Sequence, residues 1–288
     1  MLKKIIDSEE ASKRFDVIAS VMLPELSRSY VTTLIKAGSI TVNNEQVKPG
    51  YKLKENDSIE VLVDSDKVFA IPDIELPILF EDDNVLVINK PEGVISHSRG
   101  RYWYEPSVAS FVRQKTGQEG DRAGIVHRLD RVTSGVMICA KNQTSLSFLQ
   151  KQFSSRKAAK EYVAIVEGHM KEQTALIDMP VERNPKQPST FRVGANGKPS
   201  QTTYSVLSSS KSRDRLLLTP KTGRTHQLRV HLKQLGHPIV GDHLYGTKAD
   251  RLYLHAHKLT LTLPNNTSPT EFTAPIPESF DVLVRSDT

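Results

Sequence analysis

Cysteine is almost absent from this chain of 288 residues: Cys139 stands alone. A single cysteine excludes an internal disulfide and any cysteine-rich zinc site, and it fits a reducing compartment. Its setting, the apolar run VMICA, reads as core. Long hydrophobic runs are lacking too, since no stretch approaches the roughly 18 apolar residues that span a bilayer. The amino-terminal MLKKIIDSEEASKRF turns acidic before any apolar segment develops, unlike a secretory signal, so a cytoplasmic protein is expected. A strong surplus of one charge is also missing: the net charge is +6, too small to name a partner. Its distribution says more. Residues 182–233 hold eleven Lys or Arg against two acids, Glu182 and Asp214. Such a segment reads either as a phosphate-facing surface or as a solvated basic face.

What is present points to two parts, because the length exceeds the roughly 100 to 200 residues usual for one domain. In residues 12–36, Phe15, Ile18, Ala19 and Met22 recur at helical spacing until Pro24 interrupts. A second helix follows, with Ser27 as N-cap, apolar positions Tyr30, Val31, Leu34 and Ile35, and Gly38 as the stop. The next stretch alternates in short segments broken at Asn43-Asn44 and at Glu55-Asn56-Asp57, which predicts a small hairpin sheet. The portion SRSYVTTLIKAGSITVNNEQVK resembles the S-four RNA-binding domain. Charge alone does not suggest RNA here, since residues 1–62 carry nine basic and nine acidic side chains. If the module binds RNA as the resemblance implies, Arg28, Lys36, Lys48 and Lys52 are the candidate phosphate contacts, with plain surface solvation as the alternative for each.

Residues 64–78 contain Pro72 and Pro77 without sustained periodicity and are expected to be a linker between an RNA-binding domain, 1–63, and a catalytic domain, 79–288. Past it, VLVINKP, AGIVHRLD, VMICAKN, EYVAIVEG, TTYSVL and RLLLTP are short β-rich runs, with helix-like stretches at 144–157 and 226–235. Few βαβ alternations occur, so the expected class is α+β: a small module followed by a larger domain on a mixed, largely antiparallel sheet.

Three segments offer chemistry. In AGIVHRLDRVTSG an apolar run delivers Asp130 into a loop closed by Thr133-Ser134-Gly135, a strand, loop, strand layout that presents a carboxylate at a sheet rim. An Asp so placed also serves as a turn or cap residue. In KEYVAIVEG, Tyr162 begins an alternating strand on the face of Ala164 and Val166, where packing is the ordinary role. In TPKTGRTHQLRVHLKQLG, Thr225 caps a helix with the stripe Leu228, Leu232, Leu235, and Arg229 lies off that stripe toward a cleft or a surface ion pair.

Together, HRLDxxTSG, the Lys-x-Tyr strand start at 160–162, TGRTHQLRVH, GHPIVGDxxYG and the late RLYLHAHKL follow the order of RluA-type pseudouridine synthases, which the chain resembles from about residue 79 to about 263. The S-four-like module in front is similar to the RluD-like subgroup. The resemblance implies that Asp130 is the essential aspartate, Tyr162 the base-stacking tyrosine and Arg229 the arginine paired with the aspartate. Arg224, in the same motif as Arg229, is an RNA contact and the competing choice for that pairing. Arg128 corresponds to the arginine that enters the RNA where the target base leaves.

The implied reaction moves uracil from a nitrogen to a carbon linkage with no redox change, so no cofactor or metal is expected. Large-subunit ribosomal RNA is the implied substrate and transfer RNA the alternative, with a monomer as the acting form. HSRGRYWYEPSVASF, which holds Trp103, departs from the subgroup's glycine-rich wording. Two other classes compete: a noncatalytic ribosome-associated RNA-binding protein, against which Asp130 argues, and a metal hydrolase. The latter draws on His226, His231, His255, His257 and Asp242, but the two helical histidines lack the i, i+4 spacing of a zinc pair and HAH reads as packing.

Overall fold

The structure, a computed structural model, describes residues 2–24, 26, 28–62, 74–97, 105–118 and 122–285. Ser27, Trp103 and residues 64–73 of the expected linker lie outside the described residues. Two compact units result; residues 2–62 fall in one, and 74–97 with 107–285 in the other.

The small unit runs β1 (Leu2–Ile5), α1 (Phe15–Met22), α2 (Arg28–Lys36), β2 (Ile40–Val42) and β3 (Ser58–Val61). Phe15, Ile18 and Ala19 of α1 meet Val31, Leu34 and Ile35 of α2 and the inner residues Ile40, Val42, Ile59 and Val61 of the sheet. This is the i, i+3, i+4 stripe that the sequence announces. The antiparallel sheet has the order β1-β3-β2. Asn43 and Asn44 turn with φ of 53° and 63°, a conformation asparagine tolerates. The expected hairpin is only partly realised: the turn is closed by the single bridge Val42↔Glu45, and the chain returns as a strand only at Ser58, with a second isolated bridge, Arg14↔Lys52, on the way. β1 carries no sequence signal, because its four residues leave both apolar ends, Leu2 and Ile5, exposed.

In the larger unit the elements are β4 (Ile78–Glu81), β5 (Val85–Lys90), α3 (Val108–Thr116), β6 (Ser134–Ala140), α4 (Gln143–Ser154), β7 (Ala159–Glu167), β8 (Thr174–Asp178), β9 (Val181–Arg183), β10 (Phe191–Val193), β11 (Gln201–Ser209), β12 (Arg213–Pro220), α5 (Gln227–Gln234), β13 (Leu254–Thr262), β14 (Pro269–Thr273) and α6 (Glu278–Arg285). Its start precedes residue 79: Leu76 is already core, and Pro77 sits just ahead of β4, an edge strand where proline is tolerated. A nine-stranded sheet has the order β4-β5-β6-β13-β7-β12-β11-β8, with β14 beside β13, while β9 and β10 form a separate hairpin.

Pairing is antiparallel throughout except between β6 and β13, whose parallel contact is His255↔Ser134 and Ala256↔Gly135. Only glycine permits that approach, since a Cβ on Gly135 would lie 2.2 Å from the Ala256 carbonyl oxygen. β6 is buried along its whole length, so its sequence reads as a continuous apolar run and not as an alternation. One core gathers β5, β6, α3 and α4; a second gathers β7, β12, α5 and Phe280 of α6. Tyr162 packs against both. Among the described residues no helix is long and apolar enough to cross a membrane.

Candidate active site

The segment that delivers Asp130 is not the strand expected from AGIVHRLD. β6 has more backbone to satisfy than β13 covers, and residues 124–127 finish the task without strand geometry. Ala140 N–H donates to the Gly124 carbonyl, Ile125 bridges Cys139, and Ile138 N–H donates to His127 Nε2 at 3.1 Å. A side chain thus replaces one ladder partner. Burial lowers the His127 pKa to about 3, which keeps the ring neutral and able to accept. Cys139 is buried beside this segment, and burial raises its thiol pKa to about 12.

Asp130 itself hangs between two anchors. Before it, the buried Ser96 hydroxyl donates to the Leu129 carbonyl at 2.7 Å and accepts from Leu129 N–H at 3.0 Å. After it, the Arg131 carbonyl accepts from Gly93 N–H and from the Lys90 ammonium, which also donates to the carbonyls of Pro91 and Val94 at 2.8 Å. Lys90 is fully buried; burial lowers its pKa to about 7 against the opposing pull of Asp130 and Glu92. Lys90→Met therefore leaves three carbonyls short of a donor. It is expected to lower stability by about 2 to 4 kcal/mol in urea unfolding; an unchanged midpoint would refute the anchoring role.

The second half of the site comes from the turn into α5. Thr225 does not cap that helix: the N-cap is His226, at φ 56° and with no side-chain cap. Gln227 ties the turn instead, its Oε1 accepting from Thr222 Oγ1 and Arg224 N–H at 2.7 and 3.0 Å. A left-handed histidine costs about 1 kcal/mol, a strain kept only where the surroundings enforce it. α5 then buries Leu228 and Leu232 as the stripe predicts, and it buries Arg229 as well, at 2% side-chain exposure.

Arg229 reaches neither solvent nor a surface partner. Its Nε and Nη2 donate to the two oxygens of Asp242 at 2.7 Å each, and its Nη1 lies 3.6 Å from Asp130 Oδ2. Burial alone would lower the arginine's pKa, yet Asp242 and Asp130 outweigh it and raise the value. Asp242 is fully buried and also accepts from Leu244 and Tyr245 N–H. The turn that supplies it needs Gly241, at φ +79°, where a Cβ would sit 1.6 Å from the Arg251 carbonyl oxygen.

Asp130, with 20% of its side chain exposed, opens into a cavity of about 430 Å³ that Tyr162 also lines. That volume lies in the ~300 to 1,000 Å³ range of small-molecule sites. Six cationic side chains line it (Arg128, Arg156, Lys160, Lys221, Arg224 and Arg229) against one acid, Asp130. Arg128 is exposed, whereas Arg224 is half-buried, with Nε 3.4 Å from the Pro199 carbonyl. The structure therefore brings Arg229 to Asp130, and among the described contacts it does not bring Arg224 there. Burial, then Asp130, raises the Tyr162 pKa, so its hydroxyl stays protonated.

In the small unit, Arg28 pairs with the buried Asp16 at 2.9 Å, a carboxylate that Arg14 holds as well. Arg14 first, then Arg28 against the opposing effect of burial, keeps the Asp16 pKa below its ordinary value. Lys36 and Lys48 are exposed, without an ion pair among the described residues.

Sequence reasoning missed Tyr245 and gave His226 and Asp242 the wrong setting, since His226 faces Asp130 and the Tyr245 hydroxyl and Asp242 holds Arg229. Both Asp242 and Tyr245 stand in GHPIVGDxxYG, but nothing in the string reveals a buried arginine opposite. The metal reading loses its ligands to other partners: His231 bonds Thr202 and the Met179 carbonyl, His255 bonds Ser134, His257 bonds the Ala274 carbonyl, and Asp242 holds Arg229. Among the described residues no group of three or more His, Cys, Asp or Glu is disposed to hold a metal.

A carboxylate 3.6 Å from a buried arginine, inside a cationic cavity on a mixed and mostly antiparallel sheet, is a frame suited to an enzyme that works on an anionic polymer. Residues 84–234 match the RNA pseudouridylate synthase family and residues 13–59 the S4 domain. This chain belongs to the RNA pseudouridylate synthase family, whose members are isomerases. It is 32% identical to the ribosomal large subunit pseudouridine synthase C of Vibrio vulnificus, over 98% of this chain and 95% of that protein. It is 39% identical to the ribosomal large subunit pseudouridine synthase D of Borreliella burgdorferi, over 73% of this chain and 68% of that one. Among solved structures, human RNA pseudouridylate synthase domain containing 1 superposes with a TM-score of 0.59 at 29% identity, covering 74% of this chain and 94% of its own.

Proposed function

We propose that this protein converts specific uridines of large-subunit ribosomal RNA to pseudouridine, with Asp130 as the catalytic carboxylate, acting as a monomer in the cytoplasm. The observation that carries the reading is the Asp130 carboxylate 3.6 Å from the Arg229 guanidinium, in a cavity that Tyr162 lines. In the reaction the bond from ribose carbon 1 to ring nitrogen 1 breaks, the uracil turns, and ring carbon 5 takes the ribose while its proton leaves and nitrogen 1 gains one. Asp130 either adds to ribose carbon 1 or removes a proton from the neighbouring ribose carbon. Tyr162 stacks on the extruded base, which returns about 1 to 3 kcal/mol of an extrusion that costs a few. Arg128 fills the space the base leaves, and Arg224 with the other cavity cations holds the backbone.

Ribosomal RNA is favoured over transfer RNA by the names of the two bacterial relatives. The decisive experiment is mass-spectrometric pseudouridine mapping of ribosomal and transfer RNA from cells with the intact protein or with Asp130→Asn. Sites present only with the intact protein support the reading and name the target; identical maps sink it.

The small unit contributes affinity through Lys36 and Lys48, while Arg28 stays engaged with Asp16. Replacing both lysines by alanine is expected to weaken RNA binding and to flatten the plot of log affinity against log salt by roughly 1.5, two phosphate contacts' worth. Titrations at several salt concentrations test this, and an unaltered slope would remove the module from the RNA contact.

A further inference from the structure

Next to Asp130 stands a group for which the reaction scheme has no use so far. His226 Nε2 lies 3.8 Å from Asp130 Oδ2, and its Nδ1 is 2.7 Å from the Tyr245 hydroxyl. That hydroxyl in turn accepts from Phe191 N–H at 2.8 Å, and the Phe191 ring meets the imidazole edge to face at 5.4 Å. The partners at the two ends of the ring each fix the tautomer. Tyr245 already accepts a hydrogen bond and has no further acceptor among the described residues, so its proton points to Nδ1, which must be bare. At the other end an ionised carboxylate only accepts, so the nitrogen that faces it must carry the hydrogen. Both demands are met by a neutral ring protonated at Nε2. Burial favours the neutral form by lowering the His226 pKa against the pull of Asp130. The left-handed backbone at His226 is the conformation in which the ring takes up both contacts.

We propose that His226, held as the Nε2–H tautomer by Tyr245, is a positioning residue that donates to Oδ2 of Asp130 and so reserves Oδ1 for the target nucleotide. This rests on Asp130 being the catalytic carboxylate. Arg229 Nη1 meets the same oxygen, so both donors converge on Oδ2. The 3.8 Å separation closes to a hydrogen bond with a sub-ångström shift, the tightening usual when a substrate binds. The backbone donor at the head of the chain, Phe191, belongs to the β9–β10 hairpin, so the hairpin's seat on α5 also sets the ring that orients Asp130.

The test needs the tautomer and the rate. In the wild-type protein with 15N-labelled histidine, Nδ1 of His226 is expected to give a pyridine-like shift and Nε2 a pyrrole-like one. Tyr245→Phe should scramble that pattern and slow single-turnover conversion of RNA by about tenfold, with the dissociation constant for RNA unchanged. A wild-type ring protonated at Nδ1 overturns the proposal without recourse to any variant. So does a Tyr245→Phe protein with altered affinity and an unaltered rate, which would reduce the hydroxyl to a packing role. A wild-type protein that forms no pseudouridine in ribosomal or transfer RNA overturns the assignment of Asp130 and this role together. Conversion with the wrong tautomer overturns this role alone.

Discussion

Asp130→Asn is expected to lower the rate of pseudouridine formation by roughly 10⁴-fold or more while the protein folds and binds RNA as before. The substitution keeps the shape and one oxygen, so Arg229 and His226 still face an acceptor. Leu129 and Arg131 remain fastened by Ser96, Gly93 and Lys90, whose hydrogen bonds go to backbone atoms and not to the Asp130 side chain. Stability should therefore stay within about 0.5 kcal/mol. RNA affinity should hold or rise slightly, because Asp130 is the one acid among six cations around the cavity and its loss makes that surface more attractive to phosphate. What disappears is the one carboxylate among the described residues that line the cavity. Single-turnover kinetics and a binding titration on the same RNA decide the matter. Loss of affinity or unfolding would make Asp130 a structural residue, and retained turnover would remove it from the chemistry.

The parts of this molecule that the sequence discloses are those whose cause is local. The stripe of α1 and α2, the stop after Lys36, the asparagine turn and the apolar run of β6 each follow from spacing within a few residues, and all stand where expected. The antiparallel bias of the large sheet was legible because the strand runs come without alternating helices. Long-range partners were not. β1 is a strand because β3 offers an edge, and its own four residues carry no pattern. Residues 123–126 look like a strand but face an edge of β6 that needs only one bridge, one carbonyl and one imidazole. At the site, the resemblance supplied Asp130, Tyr162 and Arg229. The burial of Arg229, its bidentate hold on Asp242 and the place of His226 depend on how α5 lies against residues 239–245, and no helical wheel shows that.

The pair Arg229–Asp242 offers a prediction in which stability and catalysis separate. Asp242→Asn keeps an oxygen for the N–H groups of Leu244 and Tyr245 but strips the countercharge from an arginine with 2% exposure, leaving Asp130 at 3.6 Å as its remaining anionic partner among the described residues. Removing one member of a buried pair costs about 3 to 5 kcal/mol, because the other charge stays behind without compensation. The fork is also set loose, since two of its three engaged nitrogens lose their ionic acceptor. Turnover should fall along with stability. Arg229→Met in the Asp242→Asn background then removes the stranded charge and fills the space with an apolar chain, so most of the lost stability should return, a coupling of about 2 to 3 kcal/mol in a double-mutant cycle. Activity should not return, because Asp130 still lacks the guanidinium that steadies it, and the double variant should be no faster than Arg229→Met alone. Urea unfolding of the four proteins measures the first quantity and single-turnover conversion of RNA the second. Stability and rate recovering together would mean that Arg229 serves only to hold α5 in place. Stability recovering while the rate stays low would mean that Asp242 acts on the reaction through Arg229, as the anchor that lets one buried guanidinium reach the carboxylate.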